Sequence, residues 1–402
     1  MIVTFVFELL FTMCPRSIKE LNPKKILIRS TNWIGDAVMT TPAVHTIREN
    51  FPDAEITMLA VPWVADIFSL SPDVDKVFIY DKKHLYQGKV KGPLHLAKDL
   101  RKENFDAAIL LQNAIEAAVI AKMAGIPIRA GYKRDGRGPL LSHGVNISDE
   151  TRKKHQVHYY QDMLRGLGLT PGPDRLRLHL PDELMRWAHK IVEGFNYQSP
   201  FSSDDLQQGK ELPDYSELNA LKTSDTPIPV IGFNPGAAFG PAKQWPVEKF
   251  AQLAAIITHN FGESGCVIMV FGTDVDTEAA QTIKEFSIRT PYHVQDMTGK
   301  TDLQQAMALI KCCDAFVTND SGLMHVAAGL DVPGIAIFGS TDHVATGPYS
   351  PKIKIIRREM KCSPCMQTHC PHGHLNCLDT ISSMDVYEEL VKMISINPIG
   401  NS

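Results

Sequence analysis

An isolated carboxylate, Asp36, lies where a short apolar run gives way to a helix-like segment. The apolar residues 26–28 predict a buried strand, and a polar turn at 30–32 leads through Gly35 into the helix. Ligands of open α/β sheets bind at the carboxyl ends of the strands, which is where this order of elements places the carboxylate. Asp36 is therefore a candidate base for a hydroxyl group. The alternative, commoner for a residue of this kind, is that it caps the helix.

A second strand–loop–helix pattern carries residues typical of an anion site. The apolar run 315–317 leads into Asp320, Ser321 and Gly322, and His325 follows one helical turn after the serine. The first N–H groups of a helix have no partner within it, so they bind anions, and the helix dipole adds positive potential. The spacing predicts that a diphosphate binds at Ser321 and Gly322. Taken alone, His325 would be assigned to the core or to the surface.

A third pattern places a cation on a loop rich in glycine, alanine and proline. Lys243 follows the candidate strand 229–233 and precedes a helix that begins near Val247. In this position the ammonium group can neutralise a phosphate, whereas a single lysine elsewhere would be assigned to the surface. The three patterns together predict a base and a diphosphate site in one protein.

Alternating strands and helices must position these residues. Five candidate strands lie in each half of the chain, which indicates parallel sheets flanked by helices. Neither half has a G-x-G-x-x-G or G-x4-G-K-[ST] motif after its first strand, which disfavours dehydrogenase and P-loop chemistry. Pro42 either kinks the first long helix or marks a late start of that helix.

The motifs GD-x4-TPA, GPAK-x-WP and NDSGLMH, together with a cysteine-rich tail, resemble the ADP-heptose:lipopolysaccharide heptosyltransferases of glycosyltransferase family 9, and most closely its type II members. The resemblance covers about residues 25–394. It implies an α/β fold of the GT-B architecture, in which two Rossmann-like domains with parallel sheets face each other across a cleft. It also implies inverting transfer of L-glycero-D-manno-heptose from ADP-heptose to the heptosyl-Kdo2-lipid A inner core.

The resemblance assigns a role to each candidate residue. Asp36 is the base, Lys243 and the N–H groups of Ser321 and Gly322 bind the diphosphate, and His325 reaches a phosphate oxygen. The resemblance makes three further assignments: Asp320 binds heptose hydroxyls, Glu278 binds the ribose, and Thr301 contacts the edge of the base. Helix capping is the alternative for Asp320, and a solvated position is the alternative for Glu278.

Other functions remain open on the residues alone. One is a GT-B transferase that uses another heptose acceptor or another nucleotide sugar, as in type I and type III members. The other is a non-catalytic protein that binds nucleotide sugars on the same fold, since fold does not fix function.

Domain boundaries follow from the pattern and the resemblance. We expect an N-terminal extension (1–23), an acceptor-binding domain (24–180), a linker with a polar loop (181–228), a donor-binding domain (229–383) and a C-terminal helix and tail (384–402). The resemblance implies that the last helix, 384–394, crosses back onto the first domain. The apolar start is interpreted as a surface appendage, a spurious upstream start with initiation near Met13, or a poor signal peptide.

Four of the eight cysteines form the pattern C-x2-C-x4-C-x6-C. In a reducing cytosol this pattern indicates either a structural zinc site or a group of reduced thiols. Catalysis requires no cofactor in this interpretation, and any zinc would lie far from the chemistry. The cysteines are Cys362, Cys365, Cys370 and Cys377, within the segment 362–377.

Composition limits the partners. The 402 residues carry a formal net charge of −4, so binding to nucleic acid is not expected. No run of 18 apolar residues occurs in the sequence. A lipid acceptor implies a cytoplasmic protein that is peripheral on the inner membrane. Candidate contacts with that membrane are Trp63, the segment 132–134 and Arg137.

Overall fold

A computed structural model describes residues 17–195, 228–261, 266–286 and 294–394. The predicted polar loop at 199–226 lies outside the described residues, and so does most of the N-terminal extension. The chain divides into two compact units, residues 1–177 and 178–402. No helix among the described residues is both long enough and apolar enough to cross a membrane.

The first unit contains a parallel sheet of six strands in the order β3-β2-β1-β4-β5-β6. Its strands are β1 (Lys25–Arg29), β2 (Glu55–Ala60), β3 (Lys76–Ile79), β4 (Ala107–Leu110), β5 (Ile128–Tyr132) and β6 (His143–Val145). Its helices are α1 (Ile18–Leu21), α2 (Ile34–Asn50), α3 (Pro62–Ser69), α4 (Lys91–Lys102), α5 (Ile115–Met123), α6 (Asp149–Arg152) and α7 (Gln156–Gly166).

The second unit repeats this arrangement, with the strand order β12-β11-β10-β7-β8-β9. Its strands are β7 (Val230–Asn234), β8 (Val267–Val270), β9 (Val294–Asp296), β10 (Ala315–Asn319), β11 (Gly334–Phe338) and β12 (Ile353–Arg357). Its helices are α8 (Asp182–Phe195), α9 (Val247–Asn260), α10 (Thr277–Phe286), α11 (Leu303–Lys311), α12 (Gly322–Gly329), α13 (His343–Thr346), α14 (Asn376–Asp379) and α15 (Ser383–Met393).

The central strands are apolar over almost their whole length because helices cover both faces of each sheet. All five residues of β7, β10 and β11 are buried. The order of strands reverses between β1 and β4 in the first sheet and between β7 and β10 in the second. These are the positions at which open sheets of this kind bind ligands.

One expectation about a helix is corrected. The helix α2 begins at Ile34, so a late start at Pro42 is wrong. The missing N–H of Pro42 leaves the carbonyl of Val38 without its helical donor, and the hydroxyl of Thr41 donates to that carbonyl at 2.7 Å instead.

The last helix, α15, packs within the second unit. In α15, Val386 and Leu390 are buried in the hydrophobic core of the second unit, against α9 and β11. The apolar face of this helix thus belongs to the second unit, and its return to the first domain stays a prediction.

Candidate functional site

Asp36 is the third residue of α2 and is half-buried. The N-cap position is occupied by Trp33, whose side chain makes no capping hydrogen bond, so Asp36 is not the N-cap residue. Its position in the first turn places the carboxylate at the positive end of the helix dipole. Burial raises the pKa of Tyr160 well above its ordinary value, and the negative charge of Asp36 raises it further. A buried, protonated phenol on α7 is thus part of the surroundings of this carboxylate.

The loop before Asp36 is held by a buried arginine. The guanidinium of Arg29 donates to the carbonyl of Ser30 at 2.6 Å and to Oδ1 of Asn32 at 2.8 Å. From the other side, the indole N–H of Trp63 donates to the carbonyl of Asn32 at 2.7 Å. Burial lowers the pKa of Arg29 to about 10, so it remains charged at neutral pH. The loop therefore presents α2 in a fixed position.

A second buried arginine joins the ends of β4 and β5. Arg137 donates to the carbonyl of Tyr132 at 2.8 Å, to Oδ1 of Asn113 at 3.1 Å and to the carbonyl of Gln112. The side chains of Tyr132 and Arg137 are buried. The prediction that these two residues contact a membrane is wrong, because they serve the interior of the first unit.

In the second unit, the half-buried Lys243 forms an ion pair with the buried Asp320. Lys243 ends a short 3-10 turn after β7, and its Nζ lies 2.7 Å from Oδ2 of Asp320. The two side chains are 14% and 4% exposed. The hydroxyl of Thr341 donates to the same carboxylate oxygen, and the ammonium lies 4.9 Å from the centre of the Phe239 ring. Lys243 is thus no ordinary surface lysine.

The helix that follows β10 is capped by Ser321, whose Oγ accepts the N–H of Met324 at 3.3 Å. The alternative that Asp320 caps this helix is therefore wrong. The hydroxyl of Ser321 also donates to Oδ1 of Asn234 at 2.5 Å, and Thr318 donates to the same oxygen at 3.2 Å. These bonds join the carboxyl ends of β7 and β10 at the switch point of the sheet.

The candidate donor-binding residues follow four neighbouring strands. Lys243 follows β7, Glu278 lies in the first turn of α10 after β8, Thr301 follows β9, and Asp320 to Gly322 follow β10. Glu278 is exposed and Thr301 is half-buried. His325 is buried on α12. The structure brings Lys243 together with Asp320, and it places the other residues along the same edge, as an extended ligand would require.

Sequence reasoning missed several residues of this edge. Asn234, Thr318 and Thr341 make the hydrogen bonds described above, yet none belongs to a motif with a known chemical role. The one available signal was position, because Asn234 and Thr318 are polar residues that follow the apolar part of a buried strand.

The cysteine-rich segment contacts the loops that hold the ion pair. The N–H of Ala242 donates to the carbonyl of Thr368 at 3.0 Å, and the N–H of Met366 donates to the carbonyl of Ser340 at 2.7 Å. Each contact lies next to Lys243 or Thr341 in the sequence. The segment therefore packs on the residues next to Lys243 and Thr341, and the expectation that any zinc lies far from the chemistry stays a prediction.

The four cysteines of this segment line one small cavity together with two histidines. Hydrogen bonds from the N–H groups of Leu375 and its neighbours lower the pKa of Cys370, and burial raises the pKa of Cys377. Among the described residues no three His, Cys, Asp or Glu side chains are arranged as a metal site. Zinc at these thiols stays a prediction.

A sequence profile of glycosyltransferase family 9 (heptosyltransferase) matches residues 94–376. The chain belongs to this family. Lipopolysaccharide heptosyltransferase 2 of Salmonella typhimurium is 30% identical over 374 residues, which are 92% of this chain and 99% of the relative. The protein of the same name from Escherichia coli is 30% identical over 369 residues, which are 91% of this chain and 97% of the relative.

A solved structure agrees with this membership. The structure of E. coli ADP-heptose LPS heptosyltransferase II has a TM-score of 0.70 at 27% identity, and the match covers 92% of this chain and 98% of that one. The predicted family and the predicted glycosyltransferase class are confirmed. The fold class is confirmed as α/β with two parallel six-stranded sheets. The roles assigned to individual residues of this chain remain predictions.

Proposed function

We propose that this chain transfers L-glycero-D-manno-heptose from ADP-heptose to the heptosyl-Kdo2-lipid A inner core during lipopolysaccharide synthesis, with inversion at the transferred carbon. The observation that carries the proposal is the ion pair of Lys243 with the buried Asp320 at the switch point of the second sheet. A fixed cation stabilises a departing diphosphate, and this pair holds one in place.

The second unit binds the donor. Lys243 and the N–H groups at the start of α12 stabilise the charge that develops on ADP as the sugar leaves. His325 supports a phosphate oxygen and Asp320 a heptose hydroxyl, while Glu278 binds the ribose and Thr301 the edge of the adenine. The order of these residues along β10, β7, β8 and β9 supports a ligand that lies across the edge of the sheet.

The first unit supplies the base. Asp36 takes the proton from the acceptor hydroxyl, the acceptor oxygen forms a bond to the anomeric carbon, and the bond from that carbon to the diphosphate breaks. A carboxylate is a weak base, which suffices if the proton leaves late in an oxocarbenium-like transition state. One carboxylate opposite the leaving group gives a single displacement and hence inversion.

Catalysis uses no cofactor in this mechanism. Zinc, if it is bound by Cys362, Cys365, Cys370 and Cys377, is structural, because four thiolates close a tetrahedral site and leave no position for substrate. Because the acceptor is a lipid, the protein works on the cytoplasmic face of the inner membrane as a peripheral protein.

A transfer assay tests the proposal. The purified chain is incubated with ADP-heptose and heptosyl-Kdo2-lipid A, and the acceptor is analysed by mass spectrometry for the gain of one heptose. Kdo2-lipid A and ADP-glucose replace the acceptor and the donor in parallel reactions. Transfer to Kdo2-lipid A alone would indicate a type I activity. Binding of ADP-heptose without transfer to either acceptor would indicate a non-catalytic protein and would contradict the proposal.

A further inference from the structure

Exposed apolar side chains of the first unit are concentrated at one edge of its sheet. Within the described residues of this unit, every exposed large apolar side chain except Leu21 lies in the segment that follows β1, β2, β3 or β4. Carboxyl ends of parallel strands meet at one edge, so these side chains share the edge that carries Asp36. The side chains are Trp33, Trp63, Leu85, Val90, Leu94 and Ile115, between 48% and 69% exposed.

Lysines surround the most exposed of these side chains. Residues 82–98 contain five lysines and no aspartate or glutamate, in a chain whose net charge is −4. Lys82 pairs with Glu116 at 2.7 Å. The other four lysines are exposed, and none forms an ion pair within the part of the chain that the structure describes. They are Lys83, Lys89, Lys91 and Lys98.

This segment has a fixed conformation that turns its apolar side chains outward. Tyr86 is buried, and its ring lies edge-on to Tyr80 with the ring centres 5.8 Å apart. Its N–H donates to the carbonyl of Asp81 at 2.8 Å. A Cβ on Gly92 would lie 2.1 Å from the carbonyl oxygen of Tyr86, so the loop packs closely on the start of α4. Leu85 and Val90 therefore project from an anchored loop.

The outer face of α4 continues the same surface. Lys91, Leu94, His95 and Lys98 are exposed and are spaced by three or four residues, so they lie on one face of the helix. An apolar side chain flanked by lysines matches a bilayer surface, since the apolar group enters the acyl boundary while the ammonium groups stay among anionic headgroups.

We propose that residues 82–98, which we name the basic loop, dock the protein on an anionic lipid bilayer. The inference rests on the proposed function for its biological setting, because only a lipid acceptor requires such docking. The basic loop is positively charged although the whole chain is negative. This charge is complementary to anionic headgroups, and a neutral surface would gain nothing from it. The side chains of Leu85, Val90 and Leu94 insert into the bilayer, and the lysines make binding depend on anionic lipids.

Vesicle sedimentation of the full chain tests the proposal without any transfer reaction. The vesicles contain phosphatidylcholine alone or with about one third phosphatidylglycerol, and they carry no acceptor. We expect binding to the anionic vesicles only, and weaker binding as salt screens the lysines. Each lysine near an anionic surface contributes about fivefold to binding, so replacing Lys83, Lys89, Lys91 and Lys98 by glutamine lowers the partition coefficient at least tenfold.

A matched control variant removes the same number of positive charges from other parts of the protein. Lys19, Lys24, Lys122 and Lys284 are exposed lysines outside the basic loop, and their replacement by glutamine should leave binding within about threefold. Replacing Leu85, Val90 and Leu94 by serine should remove the binding that remains at high salt. Equal binding to both vesicles, or equal losses in the two glutamine variants, would overturn the proposal.

A comparison of two acceptors separates this inference from the proposed function. The basic-loop glutamine variant should act on a water-soluble, deacylated acceptor at the rate of the parent protein, and more slowly on the acceptor within vesicles. A loss with both acceptors would show that the lysines bind the acceptor itself, which would overturn docking on the bilayer. Absence of transfer in every protein, with charge-dependent vesicle binding intact, would overturn the proposed function alone.

Discussion

The charge of Lys243 is balanced within the protein before any ligand arrives. An ammonium group has three donors, and one of them is directed to Asp320 at 2.7 Å. The carboxylate therefore fixes the position of the cation and cancels much of its long-range field. A diphosphate then gains from a donor that is already oriented rather than from an unpaired charge.

Two variants separate affinity from stability at this pair. Lys243→Met should weaken ADP binding at least tenfold in calorimetry, because a charge-assisted hydrogen bond is lost. It should also lower the free energy of unfolding by about 3–5 kcal/mol, since Asp320 is left buried without its cation. Adding Asp320→Asn should restore most of the stability and none of the affinity. Lys352→Ala breaks an exposed pair with Asp331 and should change neither.

Asp36→Asn should lower the rate of transfer by about 10²–10⁴-fold, the usual cost of removing a general base. Binding of ADP should be unchanged, because the residues assigned to the donor belong to the other unit. Asp53→Asn, at an exposed position of the same unit, is the control. A rate within threefold of the parent would remove Asp36 from the mechanism.

At the scale of elements, the loop that ends in Lys243 is held by the cysteine-rich segment. Gly240 has a φ of 143°, and a Cβ there would lie 2.6 Å from the carbonyl oxygen of Thr368. Gly240→Ala should therefore displace the loop and weaken ADP binding at least threefold, with a strain of about 1–3 kcal/mol. Gly136→Ala has a similarly positive φ, 77°, but no atom near its Cβ. That control should leave ADP binding unchanged. If both alanine variants weakened ADP binding equally, the contact between Gly240 and Thr368 would have no part in holding the loop.

The same contact changes what zinc removal should do. Brief treatment with EDTA should leave the rate unchanged, since no catalytic step uses a metal. Prolonged chelation should lower the unfolding temperature and, through Thr368 and Ala242, weaken ADP binding. Elemental analysis of fresh protein decides whether the site exists, and less than about half an equivalent of zinc would leave four reduced thiols. An immediate loss of activity with EDTA would contradict the mechanism.

Strands that are apolar throughout were predictable from the sequence, and strands that mix polar and apolar residues were not. β1 and β7 were placed within a residue of their bounds, because strands covered on both faces are apolar throughout. β6 and β12 were missed, since they are edge strands of mixed polarity. In the site, Lys243 and Ser321 follow directly from local pattern. The hydrogen bond from Thr341 to Asp320 joins residues 21 apart in the chain and has no local signal.

At the scale of the whole molecule, each unit has its own hydrophobic core. Binding of ADP to the second unit should therefore raise its stability alone, by about 2.7 kcal/mol at a hundredfold excess over the dissociation constant. Hydrogen exchange should show new protection in 239–245 and 319–325. Equal protection in the first turn of α2 would contradict the assignment of the donor to the second unit.

The repeated strand order also has a consequence for synthesis on the ribosome. Every strand pair of the first sheet lies before residue 146, so this sheet can form before the strands of the second have been translated. At about 5–20 residues per second, the rest of the chain takes roughly 10–50 seconds to follow. During that interval the nascent chain already carries the basic loop. On the docking proposed above, the chain reaches the bilayer before it can bind a nucleotide.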